Sequence, residues 1–451
     1  MTSVLAAFDV DRKQDRGRMA FDTHHPPSSA QVADCVHCGF CLPACPTYAL
    51  WGKEADSPRG RIYLMRLGLE DRTPINESFT RHIDTCLGCM ACVSACPSGV
   101  QYDELIEATR AQVERHGPRS VSDRLFRQLI FSLFPYPRRL RIAALALWVY
   151  QRLGLQRLAR ATGLLNLLPA RVRALESVAP PVTLSSTFTE LPNRIEAQGE
   201  RRATVALLRG CVQHTFFPEV NLATARVLAA EGCEVVIPQP QGCCGALMVH
   251  AGLEDQAIGM AKRLIDTFDR LEVDTIVANA AGCGSTLKEY GHLLRDEPLY
   301  AAKARALGAK CKDISEVLAD LPPRATRHPV PLTVAYHDAC HLQHAQGVSA
   351  QPRQVLAAIP QLEVREIPEG ELCCGSAGIY NLVEPEAAQE LGKRKARHVI
   401  SADVQAVVSG NPGCMLQLQS NLAQVEPGAS MPMLHLIELV DASIRNSPIG
   451  H

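Results

Sequence analysis

The chain has 451 residues, 47% of them apolar and 21% charged, with a formal net charge of −1. This length exceeds one ordinary core, so two or three domains are expected. A balanced charge removes the electrostatic case for nucleic acid as a partner, and no run of about 18 apolar residues is present to span a bilayer.

The informative count is 18 cysteines. The opening MTSVLAAFDVDRKQDRGRMA lacks a basic segment followed by an apolar one, so no secretory signal is expected. The expected compartment is the reducing cytoplasm, where clustered cysteines read as metal ligands or redox centres rather than disulfides.

In chain order, residues 1–33 are polar and read as a loosely ordered leader. Residues 34–115 hold eight cysteines in two matching runs, with a predicted helix over Arg61–Leu69 between them. Residues 116–200 form a basic helical connector. Between Asp123 and Glu176 no acidic residue occurs, while arginines stand at 124, 127, 138, 139, 141, 152, 157, 160, 171 and 173. Leucines at helical spacing there predict amphipathic helices, read either as a solvated hairpin or as a docking face for an anionic membrane or an acidic protein. Pro180-Pro181 and Ser185-Ser186-Thr187 close this segment as a linker.

From about residue 201 onward, short β-branched runs alternate with helical ones. Strands are predicted at 204–208, 234–237, 274–278, 333–336 and 406–409, and helices at 221–231, 254–270 and 385–400. This alternation predicts parallel sheets covered by helices. The half is also a repeat: Cys211, Cys243-Cys244 and Cys283 recur as Cys340, Cys373-Cys374 and Cys414. Two similar α/β lobes follow, at 201–325 and 326–451. The expected fold is therefore α/β overall, with a helix-rich ferredoxin domain ahead of two repeated cysteine-rich lobes.

The chemistry begins with Cys35-Val-His-Cys38-Gly-Phe-Cys41-Leu-Pro-Ala-Cys45-Pro46 and Cys86-Leu-Gly-Cys89-Met-Ala-Cys92-Val-Ser-Ala-Cys96-Pro97. Each is C-x₂-C-x₂-C-x₃-C-P. Three thiolates at this spacing wrap one [4Fe–4S] cubane, and the fourth reaches the neighbouring cluster. One cluster thus takes Cys35, Cys38, Cys41 and Cys96, and the other Cys86, Cys89, Cys92 and Cys45. Structural zinc needs four ligands and gains nothing from a third evenly spaced cysteine and a proline, both repeated. His37, inside the first run, is read as a solvated or cluster-flanking histidine.

In the lobes, Cys211, Cys283, Cys340 and Cys414 each follow a predicted strand, where parallel sheets gather their sites. Gly245 and Gly375 let the chain turn after the cysteine pairs. So Cys211, Cys243, Cys244 and Cys283 form one candidate additional site, and Cys340, Cys373, Cys374 and Cys414 another. Cys233 and Cys311 have no counterparts and read as structural. His337, His341 and His344 flank Cys340, as proton relays or as structural histidines; the sequence leaves that choice open. No GxGxxG fingerprint occurs, so neither flavin nor nicotinamide is expected on this chain.

These motifs, with Pro58-Arg-Gly-Arg-Ile-Tyr63, Cys96-Pro-Ser-Gly-Val100, Gly242-Cys-Cys-Gly245, Gly282-Cys-Gly284, Lys288-Glu-Tyr-Gly291, Leu342-Gln-His-Ala-Gln346 and Cys373-Cys-Gly-Ser-Ala-Gly378, resemble the iron–sulfur subunit of bacterial glycolate oxidase. The resemblance implies an electron-transfer subunit, with no catalytic residues of its own, inside a glycolate-oxidising complex. Its partners would be FAD-containing flavoprotein subunits and a quinone or other respiratory acceptor. Its place would be the cytoplasm or, peripherally, the cytoplasmic face of the inner membrane. Similar lobes occur in iron–sulfur subunits of lactate and glycerol-3-phosphate dehydrogenases and of heterodisulfide reductase, which supply the alternative functions. The heterodisulfide-reductase pattern ends each lobe in Cys-x-x-Cys. Here the stretches read Cys283-Gly-Ser-Thr286 and Cys414-Met-Leu-Gln417, one ligand short per lobe.

Overall fold

The computed structural model describes residues 20–184, 188–426, 428 and 431–449. The start of the expected leader and the Ser185-Ser186-Thr187 linker lie outside the described residues. The chain divides into two compact units, residues 1–124 with His250–Leu253, and Leu125–Val249 with Glu254–His451.

The ordered elements of the first unit are all helices among its described residues. Proline opens the helices Pro46–Trp51 and Pro58–Leu69, where its missing N–H costs nothing. Ser57 and Asn76 cap Pro58–Leu69 and Glu77–Asp84 by accepting from the Gly60 and Phe79 amides. Met65, Phe79, Ile83, Leu105 and Ile106 are buried at the centre. Residues 20–33 differ from the loose leader expected of them. Ala20, Phe21 and Val32 are buried, and Asp22 accepts from Arg115 and Gln112 of the helix Tyr102–His116. Their polar composition hid three apolar anchors and a carboxylate with an arginine waiting for it.

Among the described residues the second unit holds nine strands in two sheets. The first lobe uses β1 (Arg194–Ile195), β2 (Ala203–Leu207), β3 (Cys233–Val236), β4 (Thr275–Ala278) and β5 (Cys311–Asp313), in the order β1-β3-β2-β4-β5. The second uses β6 (Leu332–His337), β7 (Leu362–Glu366), β8 (Ala406–Ser409) and β9 (Met433–His435), in the order β7-β6-β8-β9. Leaving β1 aside, the two orders are the same and every pairing is parallel. The expected strands fall within β2, β3, β4, β6 and β8, to within a residue at each end. The sequence reading missed β1, β5, β7 and β9. Three of these are only two or three residues long, and Leu-Glu-Val-Arg-Glu alternates because β7 is an edge with a wet face. The antiparallel β1 is a departure from purely parallel sheets.

One apolar core runs through both lobes, from Val205, Leu207, Val227 and Val235 to Val334, Tyr336, Val408 and Leu439. The helices Pro218–Ala230 and Leu436–Arg445 cross it and are clamped by Arg226 to Asp441 at 2.5 Å. Connector helices belong to this unit: Arg141 of Pro137–Arg152 lies 2.9 Å from His214 Nε2.

Candidate metal centres

Two concave sites lie in the first unit. One is lined by Cys35, Cys38, Cys41, Cys92 and Cys96, and the other by Cys45, Cys86, Cys89 and Cys92. Cys96 therefore sits with the first run's cysteines, and Cys45 with the second's. The two runs share a backbone device that lets a short loop curl round a compact group. His37 and Gly39 have φ of 55° and 87°, and their counterparts Gly88 and Met90 both have 62°. His37 thus contributes a left-handed turn and a carbonyl that accepts from Arg59 at 3.1 Å. Nothing in its spacing announced that role.

The surroundings differ. Cys38 is exposed, as are Val36 and Phe40 beside it, whereas Cys45, Cys86, Cys89 and Cys92 are buried. Against the buried set lies Arg61, itself fully buried. Its guanidinium donates to His82 O at 2.6 Å, Thr47 Oγ1 at 3.1 Å and Thr85 Oγ1 at 3.3 Å. Burial pushes the Cys86 thiol up, but Arg61 and Arg110 more than offset it, so its pKa lies below that of an ordinary thiol. Gly88 N–H donates to Cys86 Sγ at 3.4 Å, and Thr47 Oγ1 lies 3.2 Å from Cys45 Sγ. Eight free thiols in two concave sets, with amide donors and a buried cation, fit anionic iron–sulfur clusters and supply the groups that tune them.

In each lobe the four candidate cysteines gather at the carboxyl ends of the parallel strands. Cys211 and Cys243 sulfurs lie 3.5 Å apart, and Cys340 and Cys373 sulfurs 4.0 Å apart. Gly245 and Gly375 take φ of 85° and 89° and pack over Ala257 and Ala388 respectively. The two strand ends meet, since Ala281 N–H donates to Gly410 O at 3.1 Å. Tyr290 OH fixes the first lobe's pair by donating to Cys244 O at 2.6 Å. Cys233 and Cys311 are buried in β3 and β5, with the Cys311 thiol 3.9 Å from Gly284 O.

The thiols of the two lobes behave differently. Contact with Cys243, then burial, pushes Cys211 up; Cys243 is lowered by that contact yet ends raised, through Cys244 and burial. In the second lobe the Cys373 hydrogen bond holds Cys340 low, and those from Cys373 and Cys414 hold Cys374 low. Two residues stand near this second set: His337, which the sequence offered only as a flank of Cys340, and Lys395, which it did not single out. The buried His337 has a ring nitrogen within 4.8 Å of the sulfurs of Cys374 and Cys414. Lys395, 1% exposed, holds its ammonium against the carbonyls of Glu369 and Gly370. His341 lies 3.6 Å from Cys340 Sγ through Nδ1, and His344 reaches Glu371 O.

Comparison with known families agrees with this architecture. Residues 31–100 match a 4Fe–4S dicluster domain, 122–179 the linker region of the glycolate oxidase iron–sulfur subunit, and 205–288 and 334–419 a cysteine-rich domain. The chain is 38% identical over 414 residues to a probable glycolate oxidase iron–sulfur subunit of Bacillus subtilis, covering 91% of this chain and 93% of that one. It is 34% identical over 413 residues to the glycolate oxidase iron–sulfur subunit of Escherichia coli, at the same coverage. A hypothetical protein from Helicobacter pylori shares the fold with a TM-score of 0.54 at 10% identity, over 98% of this chain and 76% of that one. A dicluster domain ahead of duplicated cysteine-rich domains makes this an iron–sulfur protein of mixed α/β fold, and the chain belongs to the family of glycolate oxidase iron–sulfur subunits.

Proposed function

We propose that the chain is the electron relay of a glycolate-oxidising complex. Cys35, Cys38, Cys41 and Cys96 would hold one [4Fe–4S] cluster, and Cys86, Cys89, Cys92 and Cys45 the other. The observation that carries this is the exchange of fourth cysteines between the two concave sites. Such clusters accept and release single electrons. The chain's own part is to fix their spacing and to set their potentials through burial, sulfur hydrogen bonds and Arg61. Glycolate oxidation to glyoxylate is assigned to an FAD-containing partner subunit, and a quinone or another respiratory carrier is the acceptor. The domain boundaries that go with this reading are 34–115 for the ferredoxin domain, 116–200 for the connector, and 201–325 and 326–451 for the lobes.

The connector supports a peripheral place on an anionic membrane face. Leu125, Leu129, Ile142, Leu153, Leu158 and Leu167 are exposed there among the exposed arginines 124, 138, 139, 152, 157, 160 and 173. Exposed leucines beside arginines suit an interfacial helix better than a solvated hairpin. No helix among the described residues is long and apolar enough to cross a membrane.

The test is anaerobic addition of glycolate to the complex of this chain with its flavoprotein. The relay predicts that the iron–sulfur absorption bleaches after the flavin does. A flavin that is reduced and reoxidised by the acceptor, with the clusters spectroscopically silent throughout, would sink the relay.

A further inference from the structure

The cysteine-rich lobes are repeats, yet their cysteine sets stand in different company. Cys340 follows Cys211 by 129 residues, so His337, at the end of β6, stands where the first lobe has Leu208. Ala388 packs under Gly375 as Ala257 does under Gly245, an offset of 131, so Lys395 stands where the first lobe has Leu264. Leu208 and Leu264 are both buried and apolar. In the second lobe the same two positions carry a histidine and a lysine, also both buried.

Burying such groups is costly unless something answers them. The Nδ1 of His337 has no hydrogen-bond partner among the described residues, although the side chain is enclosed. A ring nitrogen of the same residue lies within 4.8 Å of the Cys374 and Cys414 sulfurs. Lys395 adds a fixed positive charge beside a set that turns anionic when thiolates bind metal. The second lobe is one ligand short of the Cys-x-x-Cys pattern because Gln417 replaces the last cysteine. His337 would restore the donor count, and among the described residues the first lobe shows no histidine grouped with its cysteines.

We propose that the second lobe alone holds an additional iron–sulfur centre, ligated by Cys340, Cys373, Cys374 and Cys414 together with an imidazole nitrogen of His337. Exchanging thiolate for imidazole raises the potential of an iron–sulfur centre. A centre of this kind would suit the last position in the relay, where the acceptor takes the electron. The site rests on the relay reading, since it needs clusters upstream to feed it.

The test uses the full chain, purified anaerobically, with iron and zinc analysis and electron–nuclear double resonance on protein labelled with ¹⁵N-histidine. Expected are more than about eight irons per chain and a directly coupled histidine nitrogen that vanishes in His337→Cys while the extra iron stays. In Cys374→Ser the extra iron should be lost, and in Cys244→Ser it should not. A nitrogen coupling that is absent, or unchanged in His337→Cys, overturns the proposal, as does zinc in place of the extra iron. The two ferredoxin-type signals report on the relay separately: their persistence in every variant leaves that reading standing if only the histidine claim fails.

Discussion

The two cysteine runs of the first unit share one spacing and one pair of left-handed turns, yet they build unlike environments. The concave site that holds most of the first run opens beside the exposed Val36 and Phe40, while the second run's cysteines are buried against Arg61. The lobes repeat the lesson, with His337 and Lys395 in one and Leu208 and Leu264 in the other. Duplication supplies the ligands, and divergence of the residues behind them decides what each copy does.

The largest effect is expected at Arg61. Replacing it with alanine takes one partner each from the buried Asp56 and the Thr47 and Thr85 hydroxyls, and should cost about 3–5 kcal/mol in chemical denaturation. At the open site, Arg59→Ala breaks a half-exposed pair with Glu54 and should cost less than about 1 kcal/mol. Equal losses would mean that the two environments are not distinct.

The lobes can be separated by pH. Asp313 and His435 cap equivalent helices with the same reciprocal capping box. Burial lowers His435 to about 4, so the unfolded chain takes up a proton near 6.5 that the folded chain refuses. Its contribution is complete above 6.5 and is lost as pH falls toward 4, roughly 3 kcal/mol at most. Burial raises Asp313 to about 6, so the folded chain holds a proton that the unfolded one has released, and the folded state gains stability here as pH falls from 6 to 4. His435→Asn should flatten the acid loss of stability, and Asp313→Asn should steepen it. Matching pH profiles for the two variants would contradict this assignment.

A smaller difference is expected at the turns. Gly245 and Gly375 both need a positive φ, but a Cβ on Gly375 would meet Ala388 O at 2.6 Å, against 3.4 Å from Ala257 O at Gly245. Alanine at either should cost on the order of 1–3 kcal/mol, with Gly375→Ala the worse in thermal denaturation. The reverse order would show that the second lobe yields where the first does not.

Much of this was legible in the sequence because cysteine spacing and β-branched runs are local signals. The eight ferredoxin-type cysteines, the lobe repeat and five strands could be read from spacing alone. What escaped was set by distant partners. Arg61 reads as one more charged residue on a helix, and only the fold closes Thr47, Asp56, His82 and Thr85 around it. His337 was noticed for its neighbour Cys340, but the sulfurs it is grouped with belong to Cys374 and Cys414, 37 and 77 residues further along the chain. Lys395 lay within a helical pattern whose buried face should have been apolar.

The most direct test of the crossed relay is EPR of dithionite-reduced Cys45→Ser and Cys96→Ser, set against variants that cripple each run. The account predicts that Cys45→Ser disturbs the same signal as Cys89→Ser, and Cys96→Ser the same signal as Cys38→Ser. If Cys45→Ser instead pairs with Cys38→Ser, each run holds its own cluster and the crossed arrangement is wrong.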